Sequence, residues 1–508
     1  MKNHQSQCLA ACFIAFNLCL LFLGGIFSCG GNSAILNITP PSVTVKKGQV
    51  QQFSVNMGNP TWSVVGGSNN GTIDAKGLYT PPPLLPIDPQ VAVTATVGPQ
   101  TVSATVNLVT GDSISFSGSA LRLNTDSSRP DDEGIANSGV IDKLAAGSGA
   151  HLLSSIWTGG ANAHLFFNQD INPFSGFGGE RDLTPSSTSA LALAIELLPD
   201  QNPVILFSEQ NQTKFLGSPD QGLSFGNPVV IHPPNPSTDF QFQAALKTDP
   251  QGLLHVIFTE GPNSGVGFFP INGSLFYTQS ADGGATWSSH PTMIASTGTS
   301  AVLADPDLAL DSKGNIYACY SVDSDGFGGP DKFELFLAKS TDGGATFSNV
   351  NLTNTPGSDE LFCRIGFSPS GSVYLSYAGG DLGALVSNIF FIQSADGGMT
   401  FSTPKIVNSD PAGDLQFSFL SIDPLGRIDV VWSQDTNGDQ GLDSLFYSRS
   451  LDGGTAFSPN QKIAGGPPAL GALGMGLRHD SAGRLHLQFA SDILDPGIGI
   501  DVFYFEAE

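Results

Sequence analysis

An eight-residue phrase recurs through the second half of this chain, and it constrains the fold more than any other feature. It runs Ser-x-Asp-x-Gly-x-Ser/Thr-aromatic, as in Ser280 to Trp287. Its aspartates recur every 54 to 62 residues, at Asp220, Asp282, Asp342, Asp396 and Asp452. Self-similarity at a nearly fixed period indicates stacked copies of one supersecondary unit.

Each position of the phrase has a physical role in a tight turn. Ser and Asp side chains accept backbone N–H groups within a turn, and Gly adopts the positive φ that such a turn requires. The terminal aromatic then anchors the turn against a core. Four copies keep every position, whereas the copy at 450–457 has Ala456 in place of the hydroxyl residue. The phrase therefore predicts a structural turn rather than a reactive site.

A second phrase, a turn with Asp and Gly followed by an apolar strand, accompanies the first. Clear copies begin at Asp249, Asp311 and Asp423, weaker ones at Pro199, Ser368 and Asp480, and a degenerate one at Gly147. A third strand and then the eight-residue turn follow most copies, which predicts seven four-stranded antiparallel units. The last unit ends after its third strand, at Ile500 to Tyr504. We therefore expect Ser113 to Leu123 to supply the missing fourth strand.

The eight-residue turns resemble the Asp-box, or BNR, motif of β-propellers in the sialidase superfamily. The resemblance implies that the boxes lie at blade rims, away from any substrate. The expected fold class is all-β, with an N-terminal Ig-like β-sandwich at 34–110 followed by a propeller at 111–508. Seven blades of four antiparallel strands are expected, with six as the alternative.

Residues 34–110 alternate apolar and polar side chains, as in Val91 to Val97, which is typical of half-buried strands. Within them, Thr61-Trp62-Ser63-Val64 precedes Gly71-Thr72-Ile73-Asp74-Ala75-Lys76-Gly77-Leu78-Tyr79-Thr80. This string resembles the bacterial Ig-like domain of the Big-2 type, in which a core Trp precedes a similar hairpin. The resemblance implies a spacer or an adhesive module.

The amino terminus predicts export and anchoring. An apolar run from Cys8 to Phe27 is followed by Ser28-Cys29-Gly30-Gly31, which resembles a bacterial lipobox. Residues 1–28 are then a lipoprotein signal peptide, Cys29 is the lipidated residue and 29–33 form a tether. An uncleaved or otherwise processed signal is the alternative. We expect a monomer in the bacterial cell envelope, anchored to the outer membrane and facing the periplasm or the exterior.

Composition excludes some classes of partner and of scaffold. The formal net charge is −25, with 20 Lys and Arg against 45 Asp and Glu, so few cations exist to displace the counterions of a nucleic acid. Only Cys319 and Cys363 follow Cys29, which is too few for a disulfide scaffold. These two fall in neighbouring repeats, where they either meet across a blade interface or remain buried free thiols.

Sialidase chemistry has little support in the sequence. The resemblance implies three arginines that clamp a carboxylate, a Tyr and Glu nucleophile pair and an Asp acid, but the Phe-Arg-Ile-Pro phrase of the first Arg is absent. Arg427, Arg449 and Arg484 adjoin turns and are expected at loops or rims. Polar residues expected on innermost strands, facing the channel, are Lys247, Asp305, Asp307, Arg364, Arg478 and His479. They are interpreted either as a ligand site or, preferably, as solvated or mutually paired channel walls.

Two acidic loops carry oxygen ligands at alternate positions. One supplies Asp435, Asn437, Asp439 and Asp443, and the loop from Asp323 to Asp331 is similar. Calcium prefers about six to eight oxygen ligands, so the first loop is a candidate calcium site. Solvated turns are the alternative, and no other cofactor is expected.

Together these patterns predict a surface-anchored lipoprotein whose propeller binds an extracytoplasmic glycan or protein without catalysis. The alternative is a glycoside hydrolase of the sialidase-like superfamily that acts on extracellular glycans. Fold alone does not decide between them.

Overall fold

The computed structural model describes residues 35–507 apart from internal gaps. The gaps are 84, 87–88, 113, 115, 117–120, 123–142, 147–149, 159–161, 171–180, 188, 235–238, 242, 264–269, 299, 327–331, 356, 382–385, 411–413, 437, 439–441, 466–471 and 492–500. The predicted leader, tether and lipidation site Cys29 lie outside the described residues. Within them, no helix is long and apolar enough to span a bilayer.

Residues 35–110 form three small sheets around one core. The strands are β1 (Ile38–Thr39), β2 (Ser42–Lys46), β3 (Gln51–Gln52), β4 (Ser54–Val55), β5 (Thr61–Val64), β6 (Thr72–Ile73), β7 (Leu78–Thr80), β8 (Gln90–Val97) and β9 (Gln100–Val109), with a 3-10 helix at Gly67–Asn70. They pair in the orders β2-β9-β8-β5, β3-β7-β6 and β1-β4. In the hairpin of β6 and β7, Ile73 pairs with Tyr79, and Gly77 at φ 83° packs against Trp62.

Beyond residue 110 the described strands form seven four-stranded antiparallel sheets, called ring sheets. Strand β10 (Leu121–Arg122) comes first in the chain, and the first sheet holds β11 (Lys143–Ala146), β12 (Ala150–Thr158), β13 (Asn162–Asp170) and β14 (Arg181–Asp182). The second sheet holds β15 (Leu191–Leu197), β16 (Pro203–Glu209), β17 (Gln212–Gly217) and β18 (Val229–Val230), and the third holds β19 (Ala244–Thr248), β20 (Leu254–Glu260), β21 (Ser274–Ser280) and β22 (Thr292–Ser296). The fourth sheet holds β23 (Val302–Leu310), β24 (Ile316–Asp323), β25 (Glu334–Ser340) and β26 (Ser348–Asn351). The fifth holds β27 (Asp359–Phe367), β28 (Val373–Asp381), β29 (Val386–Ser394) and β30 (Lys405–Ile406), and the sixth β31 (Leu415–Ile422), β32 (Ile428–Gln434), β33 (Ser444–Ser450) and β34 (Gln461–Gly465). The seventh joins β35 (Ala472–His479), β36 (Leu485–Ser491) and β37 (Asp501–Ala507) to β10.

The ring sheets close on themselves around a common axis. Their first strands β11, β15, β19, β23, β27, β31 and β35 contact one another in that order, and β35 contacts β11. Strand β10 pairs with β37, with Leu121 opposite Tyr504. The predicted pairing of this segment with the carboxyl-terminal strand is thereby confirmed at Leu121 and Arg122, where it covers an open sheet edge, whereas residues 113, 115, 117–120 and 123 lie outside the described residues. The architecture is that of a β-propeller.

The core lies between successive ring sheets, where the second strands are apolar on both faces. Every residue of β20 is buried, for example, and Trp432 on β32 is completely so. Cys319 and Cys363 belong to this core, at the interface of the fourth and fifth ring sheets, and both are free thiols without exposed surface.

Candidate functional site

Because neighbouring strands of each ring sheet run in opposite directions, the connections between them lie alternately at two ends of the ring. The turns from first to second strand and the Asp boxes from third to fourth strand lie at one end, which we call the box end. The loops from second to third strand and the connections to the next sheet lie at the opposite end, the loop end. The two ends differ in what their charged side chains contact.

Hydrogen bonds close each Asp box on itself at the box end. Ser280 Oγ donates to Asp282 Oδ1 over 2.7 Å, and Thr286 donates its N–H to Oδ1 at 2.9 Å and its hydroxyl to Oδ2 at 2.5 Å. These donors, the Thr286 hydroxyl foremost, lower the pKa of Asp282 to about 2. The same pair of bonds recurs at Asp220, Asp342 and Asp396. Of this pair, Asp452 has the bond from the N–H of Ala456, at 2.9 Å, and it also accepts the Ser450 hydroxyl at 2.9 Å.

Each box also fastens its sheet to the preceding one. Trp287 packs against Phe215 of the preceding sheet with ring centroids 5.5 Å apart, and a Cβ on Gly284 would collide with the same ring. The corresponding ring pairs are Phe225 with Phe167, Phe347 with Tyr277 and Phe457 with Phe391. The boxes therefore serve as contacts between sheets, and the second box glycine permits the close approach.

The sandwich of residues 35–110 docks on the box end. Thr110 donates its N–H to the Ala482 carbonyl at 3.0 Å and its hydroxyl to the Gly483 carbonyl at 2.9 Å. Arg427 donates to the Thr110 carbonyl at 3.1 Å and forms an ion pair with Asp423. Because these partners belong to turns between first and second strands, the sandwich is fixed against that end of the ring.

Arg427 and Arg484 lie in turns between first and second strands, as expected, and Arg449 lies near the end of β33 beside its box, but all three side chains are buried. Arg427, Arg449 and Arg484 are 3%, 5% and 2% exposed. Arg449 donates two bonds of 2.7 Å to Asp429, and His479 Nε2 lies 2.7 Å from the same carboxylate. Burial alone would raise the pKa of Asp429, but Arg449 and His479 outweigh it and hold that pKa well below its usual range. A buried acidic partner compensates each guanidinium, which is the condition for burying it.

Two of the channel candidates meet at one carboxylate. Lys247 Nζ is hydrogen-bonded to Glu196 Oε1, and Arg478 Nη2 lies 3.7 Å from the same oxygen. All three residues lie near the ends of their innermost strands, at the box end. Glu196 was missed by sequence reasoning, although its place at the end of the apolar strand β15 was the available signal.

Asp305 and Asp307 link the fourth ring sheet to the fifth. Asp307 Oδ2 accepts the N–H of Ile365 at 3.0 Å, and Asp305 Oδ2 accepts the N–H of Phe362 at 3.4 Å. Both first strands bulge at this level, and Asp305 and Phe362 have φ values of 51° and 58°. Each bulge interrupts the backbone hydrogen bonds between the first and second strands of its sheet. Asp305 and Asp307 accept N–H groups of the neighbouring first strand, β27.

Arg364 is the channel candidate that keeps donors for a ligand. Its Nη1 donates to the Cys363 carbonyl at 2.7 Å, and its guanidinium lies 5.0 Å from the centre of the Phe419 ring. It is half-buried on β27, and its other N–H groups have no partner within the described part of the chain. A guanidinium held over a ring in this way presents its planar edge to a polar ligand.

Several carboxyl groups at the loop end have raised pKa values, whereas burial of Glu209 at the same end is outweighed by hydrogen bonds from Lys214 and Ser187, which lower its pKa. Burial raises the pKa of Asp239, Asp323 and Asp414, and it raises the pKa of Glu360 to about 7. Glu360 is 3% exposed; Thr355 Oγ1 donates to its Oε1 at 2.8 Å, whereas Oε2 has no hydrogen-bond partner among the described residues. Glu360 was not predicted from the sequence. The signal for it was the acidic pair Asp359-Glu360 at the start of the mostly apolar strand β27.

The candidate calcium loop is only partly described, because Asn437 and Asp439 lie outside the described residues. Asp443 is fully buried and accepts the hydroxyls of Thr436 and Ser444 at 2.7 Å each, and Asp435 accepts the N–H of Gly438 at 2.7 Å. In the described ranges, no group of three or more His, Cys, Asp or Glu side chains is placed to hold a metal. The calcium site stays a prediction.

No family model matches this chain, and no curated protein matches it by sequence. Among solved structures, an ulvan lyase of a polysaccharide lyase family, bound to a GlcA(1-4)Rha3S unit, has a TM-score of 0.55 at 11% identity, over 76% of this chain and 96% of its own. A Penicillium chrysogenum α-L-arabinanase has 0.43 at 17% identity, over 62% and 93% of the two chains. A Hadza microbial sialidase has 0.44 at 11%, over 84% and 75%. The first likeness shows the propeller fold alone, and the other two are too distant to add to it.

Proposed function

We propose that this chain is a surface-anchored lipoprotein whose propeller binds an extracytoplasmic glycan at its loop end without cleaving it. In this proposal residues 1–28 are the signal peptide, Cys29 carries the lipid, and 34–110 form an Ig-like spacer. Residues 111–508 then form a seven-bladed, sialidase-like propeller, one blade for each ring sheet.

The docking of the sandwich on the box end is the observation that carries the proposal. An anchor that precedes residue 35 would hold the box end toward the membrane, because Thr110 and Arg427 fix the sandwich there. The loop end, with the long connections from β20 to β21, β24 to β25, β32 to β33 and β36 to β37, would face outward. Loops positioned by a rigid scaffold are where binding residues concentrate.

The contacts of the channel residues support binding over catalysis. Lys247, Asp305, Asp307 and Arg478 have internal partners, whereas Arg364 keeps N–H donors beside the Phe419 ring. An aromatic face and a guanidinium edge suit the apolar face and the oxygens of a sugar. The ulvan lyase that shares the fold is described with a saccharide, which makes a polysaccharide the first ligand class to test.

A glycan array probed with the chain from residue 34, with and without calcium, tests the proposal. We expect a retained glycan whose affinity falls about tenfold or more in Arg364→Ala, since a lost hydrogen bond to a charged group is worth about 1.5–3 kcal/mol. Lys405→Ala, exposed on β30, is the matched control and should bind normally. An array without any retained glycan would overturn the proposal, and shortening of the bound glycan would overturn its non-catalytic part.

One observation favours a second candidate function, hydrolysis or elimination of a glycan. Glu360 has a pKa raised to about 7 by burial, and Glu334 adds to the rise; such a carboxyl is protonated near neutral pH and suits a general acid. Its burial means that a substrate would reach it only if the connection from β26 to β27 moved. Turnover of a polysaccharide that disappears in Glu360→Gln, with glycan binding retained, would establish this function in place of the first.

A further inference from the structure

The two cysteines of the ring lie at the interface between two sheets. Cys319 is in β24, opposite Asp307 of β23, and Cys363 is in β27, within the bulge between Leu361 and Arg364. Both side chains have no exposed surface and belong to one apolar cluster. They therefore occupy neighbouring positions on either side of the interface between the fourth and fifth ring sheets.

Both thiols face the same interface. Cys363 Sγ donates to the carbonyl oxygen of Asp305 on β23 at 3.4 Å, and Cys319, on the strand that pairs with β23, lies in the same buried cluster as Cys363. Burial first, and then the neighbouring thiol, raises the pKa of Cys319 well above its usual range. A thiol that stays protonated and inaccessible is unreactive, so the folded, reduced chain does not oxidise at this site.

We propose that Cys319 and Cys363 form a disulfide bond in the exported protein and that this bond joins the fourth ring sheet to the fifth. The bond forms while the chain folds, before the two sheets bury the sulfurs. One thiolate attacks the disulfide of an exchange catalyst or of oxidised glutathione, and one sulfur of that reagent leaves as a thiol. The second cysteine then attacks the mixed disulfide and releases the other sulfur. Both cysteines are oxidised, and the reagent takes up the two electrons and two protons.

Oxidative refolding tests this proposal independently of export, although its relevance in the cell rests on the export in the proposed function. The chain from residue 34 is unfolded and reduced, then refolded either with reductant or in a buffer of oxidised and reduced glutathione. Far-ultraviolet circular dichroism checks that the strands re-form. Thiols are then alkylated in denaturant and counted by mass, and peptides are mapped without reduction.

In the glutathione buffer we expect no alkylated thiol and one peptide pair linked through Cys319 and Cys363. The urea midpoint should exceed that of the reduced chain, and reductant added to the unfolded protein should abolish the difference. The double variant Cys319→Ala and Cys363→Ala should fold with the same midpoint in both buffers. A natively folded chain that keeps two alkylatable thiols, carries glutathione on each cysteine, or folds only when reduced would overturn the proposal.

Discussion

At the box end, Asp282 and Asp342 accept hydrogen bonds from their own turns and their pKa values fall to about 2, whereas at the loop end the pKa of Glu360 rises to about 7. Burial alone does not explain the difference, because Asp429 is more deeply buried than Glu360 and stays ionised. The charge of the hydrogen-bond donors decides it. Asp429 faces Arg449, His479 and Tyr447, whereas Glu360 faces hydroxyls and a second carboxyl.

This contrast separates the part of the ring that stabilises the fold from the part that is available for function. At the box end, self-contained turns, ring pairs and compensated ions satisfy the charged groups within the protein. At the loop end, several carboxyls, Glu360 among them, are buried without a cationic partner among the described residues, and such uncompensated groups concentrate at functional sites. Substitutions at the two ends should therefore differ in size and in pH dependence.

The largest effect is expected from Asp429→Ala at the box end. The substitution leaves Arg449 and His479 buried without their carboxylate, which costs about 3–5 kcal/mol in the free energy of unfolding. Urea denaturation at pH 7 measures it, with the exposed Asp410→Ala as the control. The pKa of Asp429 is lowered in the folded state. The stabilisation by its ionised carboxylate is therefore fully present above the unfolded pKa near 4, and it is lost as the pH falls through the lower folded-state pKa. A loss below about 1 kcal/mol would mean that the ion pairs do not stabilise the box end.

Glu360→Gln should change how stability depends on pH at the loop end. The pKa of about 7 in the folded chain lies above the ordinary glutamate pKa of 4.5, so the stabilisation from the protonated carboxyl is lost as the pH rises between these two values. The wild-type chain should lose about 2–3 kcal/mol relative to Glu360→Gln between pH 5 and pH 8. Asp282→Asn is the matched control. The pKa of Asp282 is lowered to about 2, so this substitution should change the pH dependence of stability only at acid pH. If the free energy of unfolding depends on pH in the same way for the wild type and Glu360→Gln over this range, the proposed difference between the two ends is wrong.

The ring pairs between sheets should give an intermediate effect. Phe457→Ala removes a half-buried ring that packs on Phe391 with centroids 5.4 Å apart, and about 2 kcal/mol should be lost. Phe401→Ala is the comparison, because a Cβ on Gly398 of that box would lie 3.1 Å from Leu337 and 3.5 Å from the Tyr317 ring, whereas a Cβ on Gly454 would lie only 2.1 Å from the Phe391 ring. Its loss should be smaller by about 0.5–1.5 kcal/mol, the value of an aromatic pair beyond its area. Equal urea midpoints for the two variants would show that the aromatic partner adds nothing.

The box end was largely predictable from the sequence because its contacts are local. Ser280, Asp282 and Thr286 bond within one turn, so the residue types and their spacing suffice to predict that turn. The pairing of β10 with β37 was predictable for another reason, since an open strand edge requires a partner and one unassigned strand remained.

The charged contacts between distant positions were not predictable, because sequence spacing does not show which partners meet. Arg427 reaches Thr110 across 317 positions, and Lys247 reaches Glu196 across 51. From its position in the sequence, Arg449 therefore could not be distinguished from an exposed rim arginine, although Asp429 balances its charge in the core. The pKa of Glu360 likewise depends on burial, and burial is a property of the packed sheet rather than of the sequence around it.

The smallest expected effect is a gain, from Ala456→Thr in the fifth box. Asp452 already accepts the N–H of Ala456 at 2.9 Å, but it lacks the hydroxyl that Thr286 gives Asp282. The new hydroxyl should stabilise the chain by about 0.5 kcal/mol, as befits one hydrogen bond at an exposed site, and it should lower the pKa of Asp452 further. Carboxyl titration by NMR checks the pKa, urea denaturation checks stability, and Thr286→Ala should shift both in the opposite direction. If Thr286→Ala destabilises the chain while Ala456→Thr changes neither quantity, the hydroxyl acts only where the rest of the turn is already positioned for it.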